Sequence, residues 1–324
     1  MNLNEGAPSE HEADISDPEV RADLDRLVEL GRRYIWNEPK YRHYLQQRGL
    51  NIEPARFYSQ LPTVLDIENS FEYKPQFAST GPYATIFDRA ALAEQLNEFK
   101  KYSEEFDPPV DSPTEVPSTY YWNNPAFSYS DAMSYWAAIR RYKPNTIIEI
   151  GSGFSSLVAR DAVARNGHGN LILIEPYPME WLSGALPEAT VIDRQAQSFE
   201  PGELNDLLDD GDILFIDSTH TVKIGSDCLN IYLRLLPEIE SDIHVHVHDV
   251  SLPMPYTKAR AHLNVHWVEQ YLLMAYLQDN PRVNITFGSS AGVTFMREAM
   301  NDFMHHRYPP GGGSLWFDQL GRQS

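Results

Sequence analysis

Two short apolar segments in the second half of the chain are each followed at once by titratable residues. Asp217 and His220 follow the segment DILFI, and His248 and Asp249 end the segment that begins HVHV. If the two segments are neighbouring parallel strands, their carboxyl ends meet at one edge of a sheet and the four side chains converge. An imidazole can take a proton from a hydroxyl group, and carboxylates with imidazoles can hold Mg, Mn or Fe. We therefore predict His220, His248 and Asp249 as catalytic residues and all four as ligands of a divalent metal.

Each of these residues also has a structural interpretation, and the sequence leaves the choice open. Asp217 could cap a helix that starts near Thr221. His246 alternates with apolar residues, which favours a histidine packed in the core over a ligand. The pattern also does not decide between a histidine acting as general base and a metal-assisted reaction.

A second polar cluster follows the first apolar segment of this region, Thr146–Ile150. The run Glu149-Ile150-Gly151-Ser152-Gly153 ends it, and glycines there let the backbone turn tightly and approach a ligand. A pyrophosphate-binding fingerprint would have a third glycine three positions later, where this chain has Ser156. Glu175 ends the next apolar segment, where an acid can accept hydrogen bonds from a ribose diol. A strand-to-helix turn and a solvated acid would explain each feature alone, but together they predict a nucleotide-like cofactor.

Short apolar segments alternate with helical ones after Lys143-Pro144. This order predicts a mostly parallel sheet covered on both faces, whose strands are continuous apolar runs. The predicted strands are 146–150, 170–174, 190–192, 212–216, 244–247, 283–287 and 292–296, with a helix over 267–277. Only four residues separate the last two strands, which allows an antiparallel hairpin and no crossover helix.

The segment before the sheet has a different character. Residues 1–19 are predicted to be a disordered acidic tail, and 20–140 a helical, loop-rich N-terminal region. Asp17 and Pro18 are typical of a helix start, and Asp88 predicts a second helix at about 88–102. The cofactor-binding domain is assigned to 141–298 and a C-terminal tail to 299–324.

Composition excludes several classes of protein. The 324 residues include 26 Lys and Arg against 46 Asp and Glu, and the net charge of −20 would repel the phosphates of a nucleic acid in the absence of a basic patch. A single cysteine rules out an intramolecular disulfide. The sequence contains no signal peptide pattern and no apolar run of membrane-spanning length, so we expect a cytoplasmic protein with neither nucleic-acid nor membrane partners. It gives no oligomeric state.

These motifs resemble the class I S-adenosylmethionine-dependent methyltransferases over about 140–297. The resemblance is carried by Glu149-Ile-Gly151-Ser-Gly153, Glu175 and the final hairpin, and it is closest to a bacterial subgroup with the motifs FIDSTH (215–220) and HVHD (246–249). It implies a Rossmann-like α/β fold, a seven-stranded mostly parallel sheet ending in an antiparallel hairpin. It also implies the cofactor-binding set Glu149, Gly151, Gly153, Glu175, Gln197 and Asp217. In that set the glycines lie against the methionine part, Glu175 binds the ribose hydroxyls and Gln197 borders adenine.

The expected activity is therefore methyl transfer from S-adenosyl-L-methionine to a small-molecule acceptor. Hydroxyl oxygen, on a sugar or another small metabolite, is the favoured acceptor atom, with carbon as an alternative. Two other functions remain open from the sequence: a nucleotide-dependent oxidoreductase on a similar sheet, and a non-catalytic cofactor-binding partner protein. The missing third glycine and the hairpin argue against the first, and the four converging titratable groups argue against the second.

Overall fold

Continuous apolar runs form the centre of the fold. In the computed structural model, which describes residues 15–35, 38–127 and 129–323, these runs are strands of one sheet. The strands are β1 Thr146–Ile150, β2 Asn170–Ile174, β3 Thr190–Ile192, β4 Ile213–Ile216, β5 Ile243–Val247, β6 Val283–Gly288 and β7 Leu315–Gln319. All four residues of β4 are buried, which explains why this strand is apolar on both faces.

The strand order determines where a ligand can bind. The order is β3-β2-β1-β4-β5-β7-β6, with β1 to β5 parallel and β7 antiparallel to both of its neighbours. The chain runs outward from β1 to β3 on one side and then continues with β4 on the other side. The crevice at the carboxyl ends of β1 and β4 is therefore the switch point at which open α/β sheets bind ligands.

Helices cover both faces of the sheet. Among the described residues, the unit Met1–Phe71 contains α1 Pro18–Leu30, α2 Pro39–Gln46 and α3 Val64–Asn69. The helices of Glu72–Ser324, the unit that contains the sheet, are α4 Arg89–Ser103, α5 Ser130–Tyr142, α6 Phe154–Asn166, α7 Leu182–Ala185, α8 Pro201–Asn205, α9 Asp227–Asn230, α10 Lys258–His262, α11 Glu269–Leu277 and α12 Ser289–Phe303. One core cluster packs α4, α5, α6 and α12 on one face, and a second packs α9 and α11 on the other. Within the described ranges, no helix is both long and apolar enough to cross a membrane.

The predicted last strand is wrong, although the seven-stranded mixed sheet is confirmed. Residues 292–296 lie in α12, and the seventh strand is β7 from the predicted C-terminal tail. A short apolar run is compatible with a strand or a helix, and the sequence does not separate the two. The antiparallel pair is therefore β6 with β7, and the sheet extends beyond the predicted domain limit of 298.

The N-terminal boundary also differs from the prediction. The chain forms two compact units, Met1–Phe71 and Glu72–Ser324, so that 72–140 belongs with the sheet. The reason is packing: Phe99 of α4 is fully buried, with its ring 5.5 Å from that of Phe287 in β6. Helix α1 begins as predicted, with the Asp17 carboxylate accepting from the backbone N–H of Glu19 at 2.9 Å. Most of the predicted acidic tail, residues 1–14, lies outside the described residues.

Strand β7 allows a direct test of the corrected topology. Trp316 is fully buried and stacks on His246 of β5 with ring centroids 4.2 Å apart. We expect Trp316→Ala to lower the free energy of unfolding, measured by urea denaturation, by about 3–5 kcal/mol. Leu320→Ala, one residue beyond the strand at a side chain 53% exposed, is the control and should change it by less than about 1 kcal/mol. Equal effects of the two substitutions would contradict a buried seventh strand.

Candidate active site

The carboxyl ends of β1, β2 and β4 open into one cavity of about 260 Å³. The parallel pairing of these strands places the residues that follow each of them side by side. The cavity is lined by Ile150, Gly151, Ile174, Glu175, Pro176, Tyr177, Gln195, Ala196, Gln197, Asp217, Ser218, Thr219 and Asp227. Four of the six predicted cofactor-binding residues are in this lining; Glu149 and Gly153 are outside it.

Gly151 is required by the close approach of two strand ends. Its φ is +92°, and a Cβ atom built on it would lie 2.0 Å from the carbonyl oxygen of Asp217. Its N–H donates to the carbonyl of Ile174, and the N–H of Asp217 donates to the carbonyl of Ile150. The backbone turn therefore locks β1, β2 and β4 together at the cavity. A Cβ atom on Gly153, by contrast, would meet no atom within 4 Å, which leaves open space for a ligand.

Glu149 lies beneath this turn and holds it. Its side chain is completely buried and accepts hydrogen bonds from Tyr135 at 2.9 Å, from Ser156 and from Ser155 at 3.4 Å. Burial raises the pKa of the Glu149 carboxyl to about 8, although the hydrogen bonds from Ser156 and Tyr135 act in the opposite direction. Ser156, at the position of the missing third glycine, also accepts from the N–H of Gly153 at 3.1 Å. Glu149 supports the loop from below.

Glu175 and Gln197 border the cavity from the neighbouring strands. The Glu175 carboxylate is half-buried and accepts from the N–H of Tyr177 at 2.7 Å and the hydroxyl of Ser152 at 3.4 Å. The Gln197 amide donates to the side-chain oxygen of Gln195 at 3.0 Å. These contacts orient an anionic group and an amide toward the cavity, where a ribose and a purine could bind them.

The four residues predicted as metal ligands converge next to the cavity. Asp217, His248 and Asp249 offer ligand atoms that all lie within 4.8 Å of one another. Nε2 of His220 is 3.2 Å from Asp217 Oδ1 and 3.6 Å from Asp249 Oδ2. Nδ1 of His248 is 3.4 Å from Asp217 Oδ1 and 3.9 Å from Asp249 Oδ2. Asp217 belongs both to this cluster and to the cavity lining. A ligand in the cavity and a ligand at the cluster would therefore both contact its carboxylate.

The donor set fits a divalent cation. Nδ1 of His248 is buried, has no hydrogen-bond partner and faces the carboxylates of Asp217 and Asp249. Two imidazoles and two carboxylates are ordinary ligands of first-row metals. Burial opposes charge on His220, yet the hydrogen bonds and charges of Asp217 and Glu269 raise its pKa to about 10. The carboxylates around these imidazoles therefore favour positive charge at the centre of the cluster.

The backbone is strained where it presents two of these ligands. His220 has φ +56° and Asp249 has φ +57°, in the left-handed region that side chains rarely adopt. Such conformations cost on the order of 1 kcal/mol each and persist where the surrounding structure enforces them. Here they turn both side chains back toward Asp217, which directly follows β4. Asp217 caps no helix, since α9 starts ten residues later with Ser226 as its cap.

Two further carboxylates complete the cluster, and the sequence did not reveal them. Nδ1 of His220 is 2.7 Å from Glu269 Oε2, and Nε2 of His248 is 3.2 Å from Asp131 Oδ2. Glu269 starts α11 and Asp131 lies in the first turn of α5. No spacing rule links either acid to β4 or β5. The prediction for His246 is confirmed: it is a core residue, hydrogen-bonded to Ser314 Oγ at 2.7 Å.

A sheet of this order, with an antiparallel seventh strand and a ligand cleft between β1 and β4, is the seven-stranded Rossmann-like methyltransferase fold. A family model described as "Methyltransferase domain" matches residues 148–250, the segment that contains the loop and the cluster. The chain belongs to the class I S-adenosylmethionine-dependent methyltransferases, enzymes whose cofactor is S-adenosylmethionine.

Individual relatives are distant. An uncharacterized protein of Archaeoglobus fulgidus is 32% identical over 158 residues, which cover 47% of this chain and 72% of the relative. Among solved structures, the O-methyltransferase from Bacillus cereus in complex with SAH is 14% identical, with 70% of this chain and 90% of that one covered and a TM-score of 0.36. The O-methyltransferase TomG from Streptomyces achromogenes, involved in tomaymycin synthesis, is also 14% identical, with 71% and 90% covered and a TM-score of 0.37. Likenesses of this size carry no information about the acceptor.

The two loop glycines should differ in what they tolerate. We expect Gly151→Ala to lower the free energy of unfolding by at least about 2 kcal/mol, because the new Cβ strains a left-handed backbone and meets Asp217. Gly153→Ala should cost about 1 kcal/mol or less, because space is open there. Urea denaturation of both variants makes the comparison, and a larger loss in Gly153→Ala would refute the assignment.

Glu149 should make stability depend on pH. Its pKa is about 8 in the folded protein and near its ordinary value of 4.5 in the unfolded chain. The stability contributed by the protonated carboxyl is therefore complete below pH 4.5 and is lost as the pH rises through about 8. We expect Glu149→Gln to lose less free energy of unfolding than the wild type between pH 5 and 8. Glu180→Gln, at an exposed position, is the control and should follow the wild type; identical slopes in all three proteins would contradict the assignment.

Proposed function

We propose that the protein transfers the methyl group of S-adenosylmethionine to a hydroxyl oxygen of a small molecule or sugar, with a divalent metal assisting at the Asp217, His220, His248 and Asp249 cluster. The single observation that carries this proposal is that Asp217 belongs both to the cavity lining and to the cluster. A methyl donor in the cavity and an acceptor at the cluster would therefore be adjacent.

The cavity residues would bind the cofactor as follows. Glu175 presents a carboxylate, which can accept two hydrogen bonds from a ribose diol. Gln197 and Gln195 present amides at the side where adenine would lie. The turn at Gly151 and Gly153 leaves room for the methionine part, and Asp217 supplies negative charge near its cationic centre. Bound S-adenosylmethionine supplies the methyl group and the favourable leaving group.

The cluster residues would hold and activate the acceptor. A metal bound there would fix the oxygen of an acceptor hydroxyl and lower its pKa, so that its proton would pass to water; the oxygen would then take the methyl group and S-adenosylhomocysteine would leave. The geometry favours this over a histidine acting as general base. The inward nitrogens of His220 and His248 face the carboxylates of Asp217 and Asp249, and a base would instead need an open path to the hydroxyl proton. Positioning of two reactants in line contributes much of the acceleration of such a transfer.

A small acceptor is favoured over a macromolecular one by charge. The net charge of −20 disfavours phosphate backbones, and the sequence contains no compensating basic patch. Part of the positive charge near the cluster comes from Arg260, whose guanidinium is 3.6 Å from Asp249 and 4.8 Å above the Trp267 ring. The residues around the cluster are therefore both aromatic and polar, as is suitable for a hydroxylated small molecule.

Calorimetric titration tests the cofactor assignment. We expect S-adenosylhomocysteine to bind and NAD not to bind. Glu175→Gln should lower the affinity for S-adenosylhomocysteine at least about tenfold, because hydrogen bonds to a charged group contribute about 1.5–3 kcal/mol. The matched control is Glu180→Gln, five residues further on, exposed and outside the cavity lining. Binding of NAD alone would overturn the proposal, and an unchanged affinity in Glu175→Gln would remove Glu175 from the site.

Transfer of labelled methyl groups to a panel of hydroxylated small molecules tests the metal. Chelation with EDTA, and separately Asp249→Asn, should each lower turnover at least about 100-fold, since a metal contributes several kcal/mol to such reactions. Asp206→Asn, at an exposed position, serves as the control. Turnover that survives EDTA but is abolished in His248→Gln would show a general base in place of a metal.

A further inference from the structure

Each histidine of the cluster contacts a second, buried carboxylate on the side of its ring that faces away from Asp217 and Asp249. The Glu269 carboxylate faces Nδ1 of His220 at 2.7 Å, and the Asp131 carboxylate faces Nε2 of His248 at 3.2 Å. All four side chains are nearly inaccessible: His220 is 6% exposed, Glu269 3%, His248 5% and Asp131 6%. An ionised carboxylate can only accept a hydrogen bond, so these outward ring nitrogens carry hydrogen atoms.

The two partners are themselves fixed. Glu269 accepts from the hydroxyl of Tyr232 at 2.7 Å, and its backbone N–H donates to the carbonyl of His220. Asp131 accepts from Ser289 Oγ at 2.7 Å and from the backbone N–H groups of Gly313 and Ser314, each at 2.9 Å. Neither carboxylate can rotate away without losing several hydrogen bonds. The rings therefore keep their orientation, with Nε2 of His220 and Nδ1 of His248 pointing at Asp217 and Asp249.

The desolvation of these buried ionic groups is unfavourable, so stability alone does not explain the arrangement. Buried ionic groups lose their hydration, and apolar residues of similar volume in their place are often as stable or more stable. One buried atom, Nδ1 of His248, remains without a hydrogen-bond partner and points into the cluster. Oriented imidazoles backed by carboxylates are instead what metal sites use to set the tautomer of a ligand and to strengthen it as a donor.

We infer that Glu269 and Asp131 are positioning residues that hold His220 and His248 as nitrogen ligands, giving a site with two nitrogen and two oxygen donors that selects a first-row transition dication over Mg²⁺. Imidazole nitrogen suits such ions, whereas Mg²⁺ takes oxygen ligands and retains its waters. The inference rests on the metal site of the proposed function and specifies which cation occupies it.

Direct metal titration tests this inference without an acceptor or any turnover. Co²⁺ and Mg²⁺ are titrated calorimetrically into the full-length wild type and the variants Glu269→Gln, Asp131→Asn and Asp212→Asn. We expect Co²⁺ to bind the wild type at least about 100-fold more tightly than Mg²⁺. Glu269→Gln and Asp131→Asn should lower Co²⁺ affinity about 10- to 100-fold and leave Mg²⁺ affinity nearly unchanged. Asp212→Asn is the matched control: Asp212, just before β4, is also fully buried, but it lies outside the cluster and accepts from the backbone N–H groups of Thr146 and Asp209.

The ratio of the two affinities separates positioning from folding. If Glu269 and Asp131 had a merely structural role, their variants would lose Co²⁺ and Mg²⁺ affinity together, and that result would overturn the inference. Equal affinities of the wild type for the two ions, or no binding of either ion, would overturn it as well. Pulsed electron paramagnetic resonance of Mn²⁺ on the wild type needs no variant, and absence of imidazole nitrogen coupling would also overturn it. Titration of the same samples with S-adenosylhomocysteine distinguishes this inference from the proposed function. If S-adenosylhomocysteine does not bind, the proposed methyl transfer is refuted, whatever the result of the metal titration.

Discussion

A single buried carboxylate, that of Asp131, connects the cluster of Asp217, His220, His248 and Asp249 to the rest of the sheet. It accepts hydrogen bonds from Ser289 at the start of α12, from the backbone just before β7, and from His248 just after β5. A Cβ atom on Gly312 would lie 2.3 Å from this carboxylate, and its φ is +114°, so only glycine lets the chain pass there. The seventh strand and the orientation of a proposed metal ligand therefore depend on the same group.

Concentrated negative charge at the strand ends is the second constraint. Glu175, Asp217 and Asp249 follow β2, β4 and β5, and their mutual repulsion has to be compensated. Burial opposes charge on His220 and His248, but Asp217, together with Glu269 at His220 and Asp131 at His248, raises the pKa of both imidazoles, and burial raises the pKa of the Glu149 carboxyl to about 8. A cationic cofactor and a divalent metal would each find an electrostatic environment already prepared for positive charge.

Part of the fold and most of the candidate active site could be predicted from the sequence. The first six strands, the helices after Asp17 and Asp88, and the convergence of Asp217, His220, His248 and Asp249 follow from local patterns, because each of these four residues lies within four positions of the end of a strand. The assignment of 292–296 as a strand failed because a short apolar run has no period that separates strand from helix. Asp131 and Glu269 could not be found, since they lie on α5 and α11 and reach the histidines only through tertiary packing.

The sequence by itself determined the strand-end chemistry. Parallel pairing brings the residues after successive strands to one edge, and residue type then specifies glycine turns, an acid at the end of β2 and a histidine–aspartate cluster. Only the tertiary structure decided which segment completes the sheet and which nitrogen of each histidine faces inward. Both depend on long-range hydrogen bonds, such as that between Asp131 and Ser314, which join residues 183 positions apart in the chain. Local spacing carries no information on contacts of that range, because they form only when the helices pack on the sheet.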